Sequence, residues 1–381
     1  MSKIARRDFI NGTLMVAGAS MLPFTSTSQA VMAALKPDYY PPALTGLRGS
    51  HPGSNEHAHS QAWTKQTDWG PTTDLKEEYD LVVVGGGISG LSAAYFYQQE
   101  HGRDKKVLIL DNHDDFGGHA KRNEHTIDGV TRISYGGSQS LVEPNHAHEI
   151  VRNLLEDIGV DLDRFKTAYD ADFFRRNSLG AVTYFNKEVF GEDRVVQHPY
   201  CNYPNYVEGL QGAKLSSKEA AQQAPLSDSG KEQLLRVLNG GLHTLKVPKE
   251  ELQNYTRTHF YFDYLKDTLG VNDPGVLRMA RHSGLDWGST GTELMSIAAA
   301  RSCGALGFAS VAVFDEDNPY IHHFPDGNAG VARALVKWLI PGVARGNNAE
   351  ELVLAKFNYA ELDKSSNTAR IRLNSTVVNV E

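Results

Sequence analysis

A glycine-rich turn between an apolar run and a helix-like segment constrains the fold of this chain more than any other feature. Leu81–Val84 predict a fully buried strand of a parallel sheet, and the residues from Leu91 onward predict a helix packed on it. A strand, a GxGxxG turn and a helix in this order place the amides of a helix N-terminus against a pyrophosphate. The residues expected to line such a site are Gly85, Gly87, Ile88, Ser89 and Gly90.

A second apolar run and the residues after it indicate which dinucleotide binds. Lys106–Leu110 predicts the next strand and leads into Asp111, about 20 residues past the last glycine, where such folds carry the acid that binds ribose. Asn112 is a neighbouring candidate contact. An acid, five residues and the pair Gly117-Gly118 resemble the extended fingerprint of FAD enzymes of the glutathione-reductase and amine-oxidase type. FAD is therefore favoured over NAD, and a ligand-free βαβ unit is the alternative.

The first 30 residues have the pattern of an export signal. Arg6-Arg7 precede Phe9, a modest apolar run follows over 12–22, and small residues over 28–30 suit cleavage. The run is too short and too rich in Gly and Ser to span a bilayer stably. Paired arginines before Phe favour a twin-arginine signal over a chance pair, and the twin-arginine export machinery would deliver a folded, cofactor-loaded protein to the periplasm.

The charge balance argues against a nucleic-acid partner. The chain has 38 basic and 46 acidic residues, and loss of residues 1–30, which hold three basic and one acidic residue, leaves a net charge near −10. This charge is compatible with a cationic substrate, although many proteins are acidic for solubility alone. Cys201 and Cys303 are the only cysteines, which excludes a disulfide framework and favours two core thiols over one bridge.

Composition divides the rest of the chain into four parts. Residues 31–77 are rich in proline and turn formers and predict an irregular arm, and 78–144 hold the dinucleotide-binding unit. Residues 145–320 show helical spacing of apolar residues with short strands between them, and 321–381 return to the first domain. The expected fold class is α/β, a Rossmann-type FAD-binding domain with an inserted mixed, largely helical substrate domain. Residues 369–381 predict a strand, a turn and a second strand in which the sequence stops, which favours a C-terminally truncated copy.

Four motifs together resemble the flavin-containing amine oxidase superfamily, and within it the bacterial spermidine dehydrogenase group, exported flavoproteins that also carry haem b. They are the 85–90 turn, Asp111 with the second glycine pair, the loop 133–143, and residues 324–330. In that superfamily the segment matching Gly136-Gly137-Ser138 lies along the isoalloxazine ring. The segment matching 374–380 contacts adenine through a valine, here Val378.

The sequence departs from the superfamily in two places. The usual arginine after the second glycine pair is His119 here, with Lys121 and Arg122 close behind, so one of these three cations is expected to contact the phosphates. The C-terminal segment that covers the ribityl chain and often supplies a lysine near the flavin has no counterpart. The resemblance thus implies that this chain does not complete the reactive end of the site by itself.

The resemblance implies an oxidation at a C–N bond. The flavin takes a hydride from the carbon beside an amine nitrogen, and the resulting imine hydrolyses. Acidic or aromatic side chains would receive the remote ammonium groups of a polyamine. Glu143 is the candidate carboxylate, with an ordinary surface role as the simpler alternative. Aromatic candidates for a substrate tunnel, with core packing as the favoured alternative, are Trp287, Tyr255, Tyr261 and Tyr264.

Three histidines of the arm are candidates for the haem iron. His51, His57 and His59 lie in a predicted loop, and histidine is a usual axial ligand of haem. Solvated loop histidines are the alternative without the resemblance. Two other functions also stay open at this point: an amino-acid oxidase or desaturase of the same fold, and an inactive fragment.

Overall fold

The computed structural model describes residues 39–44, 55–168, 170, 172–200, 215–282, 290–308 and 321–380. Contacts divide the chain into two units, the first formed by 1–162 together with 321–381 and the second by 163–320. The predicted export signal, His51, Cys201 and Trp287 lie outside the described residues. The helix that begins at Glu149 therefore belongs to the first unit. The boundary predicted from the sequence lies earlier, at residue 145.

The strands and helices are numbered in chain order. The strands are β1 (Leu81–Val84), β2 (Val107–Leu110), β3 (Arg122–Ile127), β4 (Val130–Tyr135), β5 (Leu141–Val142), β6 (Thr183–Phe185), β7 (Arg194–Val196), β8 (Ile321–His322) and β9 (Ala369–Arg372). The helices are α1 (Glu56–His59), α2 (Ile88–His101), α3 (Glu149–Asp157), α4 (Phe173–Arg176), α5 (Lys187–Phe190), α6 (Ser217–Gln223), α7 (Asp228–Leu238), α8 (Leu252–Thr258), α9 (Tyr261–Asp263), α10 (Pro274–His282), α11 (Ile297–Ser302), α12 (Ala329–Leu339) and α13 (Ala349–Leu354).

A parallel sheet of order β1-β2-β9 forms the centre of the first unit. Its middle strand, β2, has neighbours on both sides, and the Val107 and Ile109 side chains are fully buried. Helix α2 packs on β1 and β2 and also contacts α12, where Arg103 stacks on Trp338 at 3.6 Å from the ring centre. The predicted strand–turn–helix–strand order is thereby confirmed.

Full burial of β1 is a prediction that the structure contradicts. Val82 is 50% exposed and Val84 is 63% exposed. Within the described residues β1 pairs only with β2, so it is the outer strand of this sheet. Val83 faces α2, since a Cβ on Gly90 would lie 3.1 Å from its side chain, and alternation along the strand turns its two neighbours to the opposite face. A run of valines did not distinguish a strand covered on both faces from one covered on a single face.

Two other predictions about irregular segments need correction. After β9 the residues 374–380 form no second strand; instead the amides of Asn374 and Ser375 donate to the carbonyls of His113 and Asp111, each at 2.8 Å. The arm is not irregular throughout, because α1 and a following π-helical turn cover 56–64. Backbone hydrogen bonds to His113 and Asp111 thus take the place of strand pairing after β9, and helical hydrogen bonds organise residues 56–64.

The second unit is largely helical, as predicted, with the short antiparallel pair β6–β7. Its core includes Tyr261 and Tyr264, which pack against Phe308 with ring centres 5.8 and 5.1 Å away. These two tyrosines are core residues, which is the alternative that the sequence favoured. Cys303 is a buried thiol that donates to the carbonyl of Ala300. None of the described helices is both long enough and apolar enough to cross a membrane.

Candidate dinucleotide-binding site

The first glycine turn begins where β1 ends. Gly85 has a φ of +101°, a conformation that favours glycine, and its amide donates to the carbonyl of Leu110 in β2 at 2.8 Å. A Cβ on Gly90 would lie 1.9 Å from the Gly85 carbonyl oxygen, so only glycine lets α2 start this close to the strand. The geometry of the turn thus requires glycine at both positions.

The N-terminus of α2 offers its amides without a side-chain cap. Gly87 is the N-cap residue and forms no side-chain cap, and the first turn contains no acidic residue. The first amides of an α-helix, here including those of Ile88 and Ser89, have no acceptor within the helix, and the helix dipole makes this end positive. This is the arrangement that binds a phosphate group.

The second glycine pair lies directly against the first turn. The Gly117 amide donates to the Gly86 carbonyl at 2.8 Å, and a Cβ on Gly118 would lie 3.2 Å from the Gly87 Cα. Both Gly117 and Gly118 have positive φ, +101° and +60°. The two turns therefore face each other with backbone alone, which leaves a surface that a diphosphate can approach closely. A Cβ at these positions would fill it.

Asp111 is held rigidly at the end of β2. Its carboxylate is buried, with Oδ2 accepting from the Gly86 amide at 2.7 Å and Oδ1 accepting from the His113 amide at 2.8 Å. A carboxylate offers about four lone-pair directions, so two hydrogen bonds leave capacity for ribose hydroxyls. Asn112, next to it, is half-buried. The residues present thus fit the diphosphate and one ribose of a dinucleotide.

The three candidate cations after the second glycine pair differ in their surroundings. Arg122 is buried; its Nε donates to Glu124 and its Nη1 to Asp326, both at 2.8 Å. The Lys121 Nζ donates to the Asp115 carbonyl at 2.9 Å. His119 is exposed, and its ring lies beside the next glycine loop, since a Cβ on Gly137 would be 2.9 Å from its Nδ1. The structure places the Arg122 guanidinium in an internal ion pair, so we expect the phosphate contact from His119 instead.

The loop that the resemblance assigns to the flavin ring adjoins this histidine. The amides of Gly136 and Gly137 donate to the carbonyls of Lys121 and His119 at 2.8 and 3.1 Å. Ser138, the next residue, accepts from Asn328 at the start of α12. Backbone hydrogen bonds therefore join the turn at 85–90 to the pair at 117–118, and the residues directly after that pair to the loop at 136–138. The sequence identified each of the three segments but not the hydrogen bonds that bring them together.

The other predicted cofactor and substrate contacts are less constrained. Val378 is half-buried, and its carbonyl accepts from the Gln61 side chain at 2.7 Å. The segment that contains Val378 adjoins Asp111, because the Ser375 amide donates to the Asp111 carbonyl. Glu143 has a φ of +44° and a 48% exposed side chain whose carboxylate lies 4.0 Å from His146. Nothing in these contacts separates Glu143 from an ordinary surface residue.

Two of the haem candidates, His57 and His59, lie in a helix and not in a loop, which corrects that prediction for these two residues. The His57 ring meets Trp69 edge-on, and the His59 ring stacks on Trp63 with centres 4.0 Å apart. Among the described residues there is no group of three or more His, Cys, Asp or Glu side chains that could hold a metal ion. Neither observation points to a haem.

A buried polar network beside the second glycine pair was not predicted from the sequence. Asp326 and Arg333 are 0% and 2% exposed, and the Arg333 guanidinium donates to the carbonyl of Leu352 at 2.9 Å while it stacks on Phe357. Tyr359 donates to Asp115, and burial raises the pKa of this tyrosine well above its usual value, with the Asp115 charge adding to the effect. Arg333 within the otherwise apolar run 329–336 was the signal that could have revealed the network.

Comparison with known proteins agrees with this geometry. Residues 83–156 match the family described as NAD(P)-binding Rossmann-like domain. The sarcosine oxidase subunit beta of Rhodobacter capsulatus is 30% identical over 152 residues, 40% of this chain and 31% of that protein. Flavin-containing amine oxidase A of Bos taurus is 42% identical over 69 residues, 18% of this chain and 12% of that protein. The chain therefore spans less than a third of the length of either relative.

A solved structure of putrescine oxidase with putrescine bound overlaps 78% of this chain and 51% of its own, at 13% identity and a TM-score of 0.33, a likeness too low to carry an argument. The chain thus contains a Rossmann-like dinucleotide-binding domain, and in parts of its length it is similar to oxidoreductases, one of them flavin-containing.

Proposed function

We propose that this chain is an FAD-dependent oxidoreductase that oxidises a C–N bond of an amine, with spermidine or a related polyamine as the substrate. The observation that carries the cofactor assignment is the contact of the two glycine turns beside the fixed carboxylate of Asp111, which suits a diphosphate and its ribose. Similarity to a flavin-containing amine oxidase supports the amine, and the acidic charge of the chain supports a polycation.

Bound FAD supplies an acceptor for the hydride that leaves the carbon beside the amine nitrogen. The residues of this chain have the tasks of binding and orienting. The first amides of α2 and the His119 side chain would bind the diphosphate, Asp111 the ribose and Val378 the adenine. The 136–138 loop would lie along the ring, and Glu143 is the proposed contact for a remote ammonium group of the substrate.

Purified protein tests this proposal in two steps. We expect a visible flavin spectrum that stays with the protein on gel filtration, and FAD in the supernatant after acid denaturation. We then expect anaerobic bleaching of that spectrum by spermidine, and reduction of a dye acceptor with an aldehyde product. Absence of bound FAD would overturn the proposal at its first step. Bound FAD without turnover of any amine would instead favour an inactive fragment.

A second candidate function is the oxidation of an amino acid. The similarity to a sarcosine oxidase subunit favours it, because that segment is the longer of the two sequence matches described above. A panel that contains sarcosine, L-amino acids, spermidine and putrescine distinguishes the two candidates. The value of kcat/KM for spermidine should exceed that for every amino acid if the polyamine assignment is correct.

The proposal extends to export and to haem b, both of which rest on the sequence alone. Export through the twin-arginine machinery to the periplasm is tested by fractionating cells that express the wild type and an Arg6→Lys/Arg7→Lys variant, which we expect to stay in the cytoplasm. Haem b is tested by the pyridine haemochrome spectrum of the purified protein. If haem is present, a change of its Soret band in His57→Ala, His59→Ala or His51→Ala would identify the ligand.

A further inference from the structure

Asn328 occupies the N-cap position of α12 but does not cap that helix. Asparagine is among the preferred N-cap residues because its side-chain oxygen accepts from an amide of the first turn. Here no such side-chain bond forms. The carboxamide is used elsewhere, and the cost of an uncapped helix start points to a different task for this side chain.

The Asn328 side chain holds the 136–140 loop. Its Nδ2 donates to Ser138 Oγ at 2.9 Å and to the Ser140 carbonyl at 3.0 Å, and its backbone amide donates to the Ser138 carbonyl at 3.1 Å. A backbone carbonyl can only accept, so the nitrogen of the carboxamide must face Ser140, and the orientation of the amide is fixed. One residue thus makes three hydrogen bonds to a loop 190 positions earlier in the chain.

The residues before Asn328 press against the same loop. Gly327 has a φ of +60°, and a Cβ there would lie 2.4 Å from the Ser138 carbonyl oxygen and 2.7 Å from the Tyr135 side chain. Asp326 forms the buried ion pair with Arg122, which lies three residues beyond His119. The turn before α12 is therefore fixed to β3 and to the 136–140 loop at the same time.

We propose that Asn328 is a positioning residue for the dinucleotide site, one that sets where the 136–138 loop stands beside the second glycine pair and hence beside the cofactor. This inference rests on the proposed function. The hydrogen bonds of Asn328 run to Ser138 and Ser140, and the amides of Gly136 and Gly137 continue the contact to Lys121 and His119.

Substitution by aspartate separates this role from a structural one. Asn328→Asp keeps the shape of the side chain, removes both donors and turns a carboxylate oxygen toward the Ser140 carbonyl, so the 136–140 loop loses these hydrogen bonds. A merely structural role predicts a lower melting temperature with the wild-type Kd and flavin spectrum. A positioning role predicts about a tenfold weaker Kd for FAD, together with a shifted flavin absorption or circular dichroism spectrum.

Two further variants complete the experiment. Asn328→Ala should match the aspartate variant in FAD affinity and spectrum, whatever its stability. Asn348→Ala is the matched control, because Asn348 caps α13 in the same unit through the Glu351 amide at 2.9 Å and its backbone lies against Gly159. It should lower the melting temperature and leave the flavin spectrum unchanged.

The apoprotein provides a readout that does not depend on flavin. Amide hydrogen exchange over 136–140 should be at least several-fold faster in Asn328→Ala and Asn328→Asp than in the wild type and the Asn348→Ala control. Equal exchange in all four proteins would overturn the inference, as would aspartate and alanine variants that keep the wild-type Kd and spectrum. A wild-type protein that binds no FAD would fail the proposed function instead, and faster exchange in that case would still demonstrate the contact between Asn328 and the loop.

Discussion

The Arg122 Nη1 and the Asp326 Oδ2 lie 2.8 Å apart in a buried ion pair that joins β3 to the turn before α12. The Arg333 Nε lies 3.7 Å from the same carboxylate oxygen. Burial alone would lower the pKa of Arg122, but the hydrogen bonds and negative charges of Asp326 and Glu124 together outweigh that effect and hold the pKa above its usual value. The negative charge of Asp326 thus offsets the positive charges of two buried guanidinium groups. Removing that charge would leave less negative charge near either arginine.

Asp326→Asn should therefore be strongly destabilising. We expect a loss of about 3 kcal/mol in the free energy of unfolding, since removing one partner of a buried pair leaves an uncompensated charge. Urea unfolding followed by circular dichroism measures it. The matched control is Asp172→Asn, which breaks an exposed pair with Arg175 and should cost less than about 1 kcal/mol. Equal losses in the two variants would contradict the prediction.

Gly90→Ala should weaken dinucleotide binding and lower stability. The added methyl group would lie 1.9 Å from the Gly85 carbonyl oxygen, so the turn or the helix must move. We expect a loss of about 3 kcal/mol, at the upper end for overpacking, and at least a tenfold weaker Kd for FAD by fluorescence titration. Gly342→Ala is the control, because its Cβ would make an ordinary contact at 3.6 Å. Retained FAD affinity in Gly90→Ala would count against the glycine turn as the site.

Asp111→Ala should weaken FAD binding by more than tenfold, because the ribose loses its acceptor and the Gly86 amide loses its partner. Asp80→Ala is the matched control. Asp80 stands before the first residue of β1 and accepts from the Lys106 amide at 2.8 Å, a comparable bond at the opposite end of that strand. Isothermal titration should show the wild-type Kd for the control. A similar loss in both would reduce the role of Asp111 to support of the sheet.

His119→Ala should weaken FAD binding several-fold, and His119→Arg should restore or strengthen it, if this side chain contacts the diphosphate. The exposed ring beside Gly137 motivates the prediction. His125→Ala, an exposed histidine of β3, is the control and should keep the wild-type Kd. If Lys121→Met has the larger effect on the Kd, the contact belongs to that lysine instead.

Tyr40 should contribute a loss of stability at alkaline pH. Burial raises its pKa from 10.0 to about 12 against the lowering effect of Arg333, and its hydrogen bond to Glu124 adds to the rise. The folded protein then holds a proton that the unfolded chain releases above pH 10, so stability falls as pH rises from 10 to 12. We expect the ionisation of Tyr40 to lower the free energy of unfolding by about 1–2 kcal/mol over this range. Tyr40→Phe should show a shallower decline over that range in urea unfolding; curves of equal slope would contradict the assignment.

The sequence predicted the central strand–turn–helix–strand order because each part has a local cause: apolar runs, obligatory glycines and helical spacing. Asp111, Gly117 and Gly118 could be located in the same way, by their distance along the chain from Gly90. The ion pair of Arg122 could not be predicted, since its partner Asp326 lies 204 positions away and only the fold brings the two together. The same limit applies to Asn328 and Ser138.

The exposure of β1 shows a second limit. Valine at positions 82 and 84 is typical of a strand covered on both faces. The residue type shows a preference for burial but does not show whether another element covers the strand. The prediction of a second strand after β9 was wrong for a similar reason. Backbone hydrogen bonds to Asp111 and His113 compete with strand pairing there, and no residue pattern marks that competition.

The pairing of β2 with β9 has a consequence for the order in which the chain acquires structure during synthesis. The strand at 107–110 emerges from the ribosome long before its partner at 369–372, and the whole second unit, 163–320, is translated between them. The second unit is contiguous, whereas the first must close a very long loop before β2 and β9 can pair. The nucleotide-binding turn therefore precedes, by most of the time of translation, the strand that pairs with β2 on its other side.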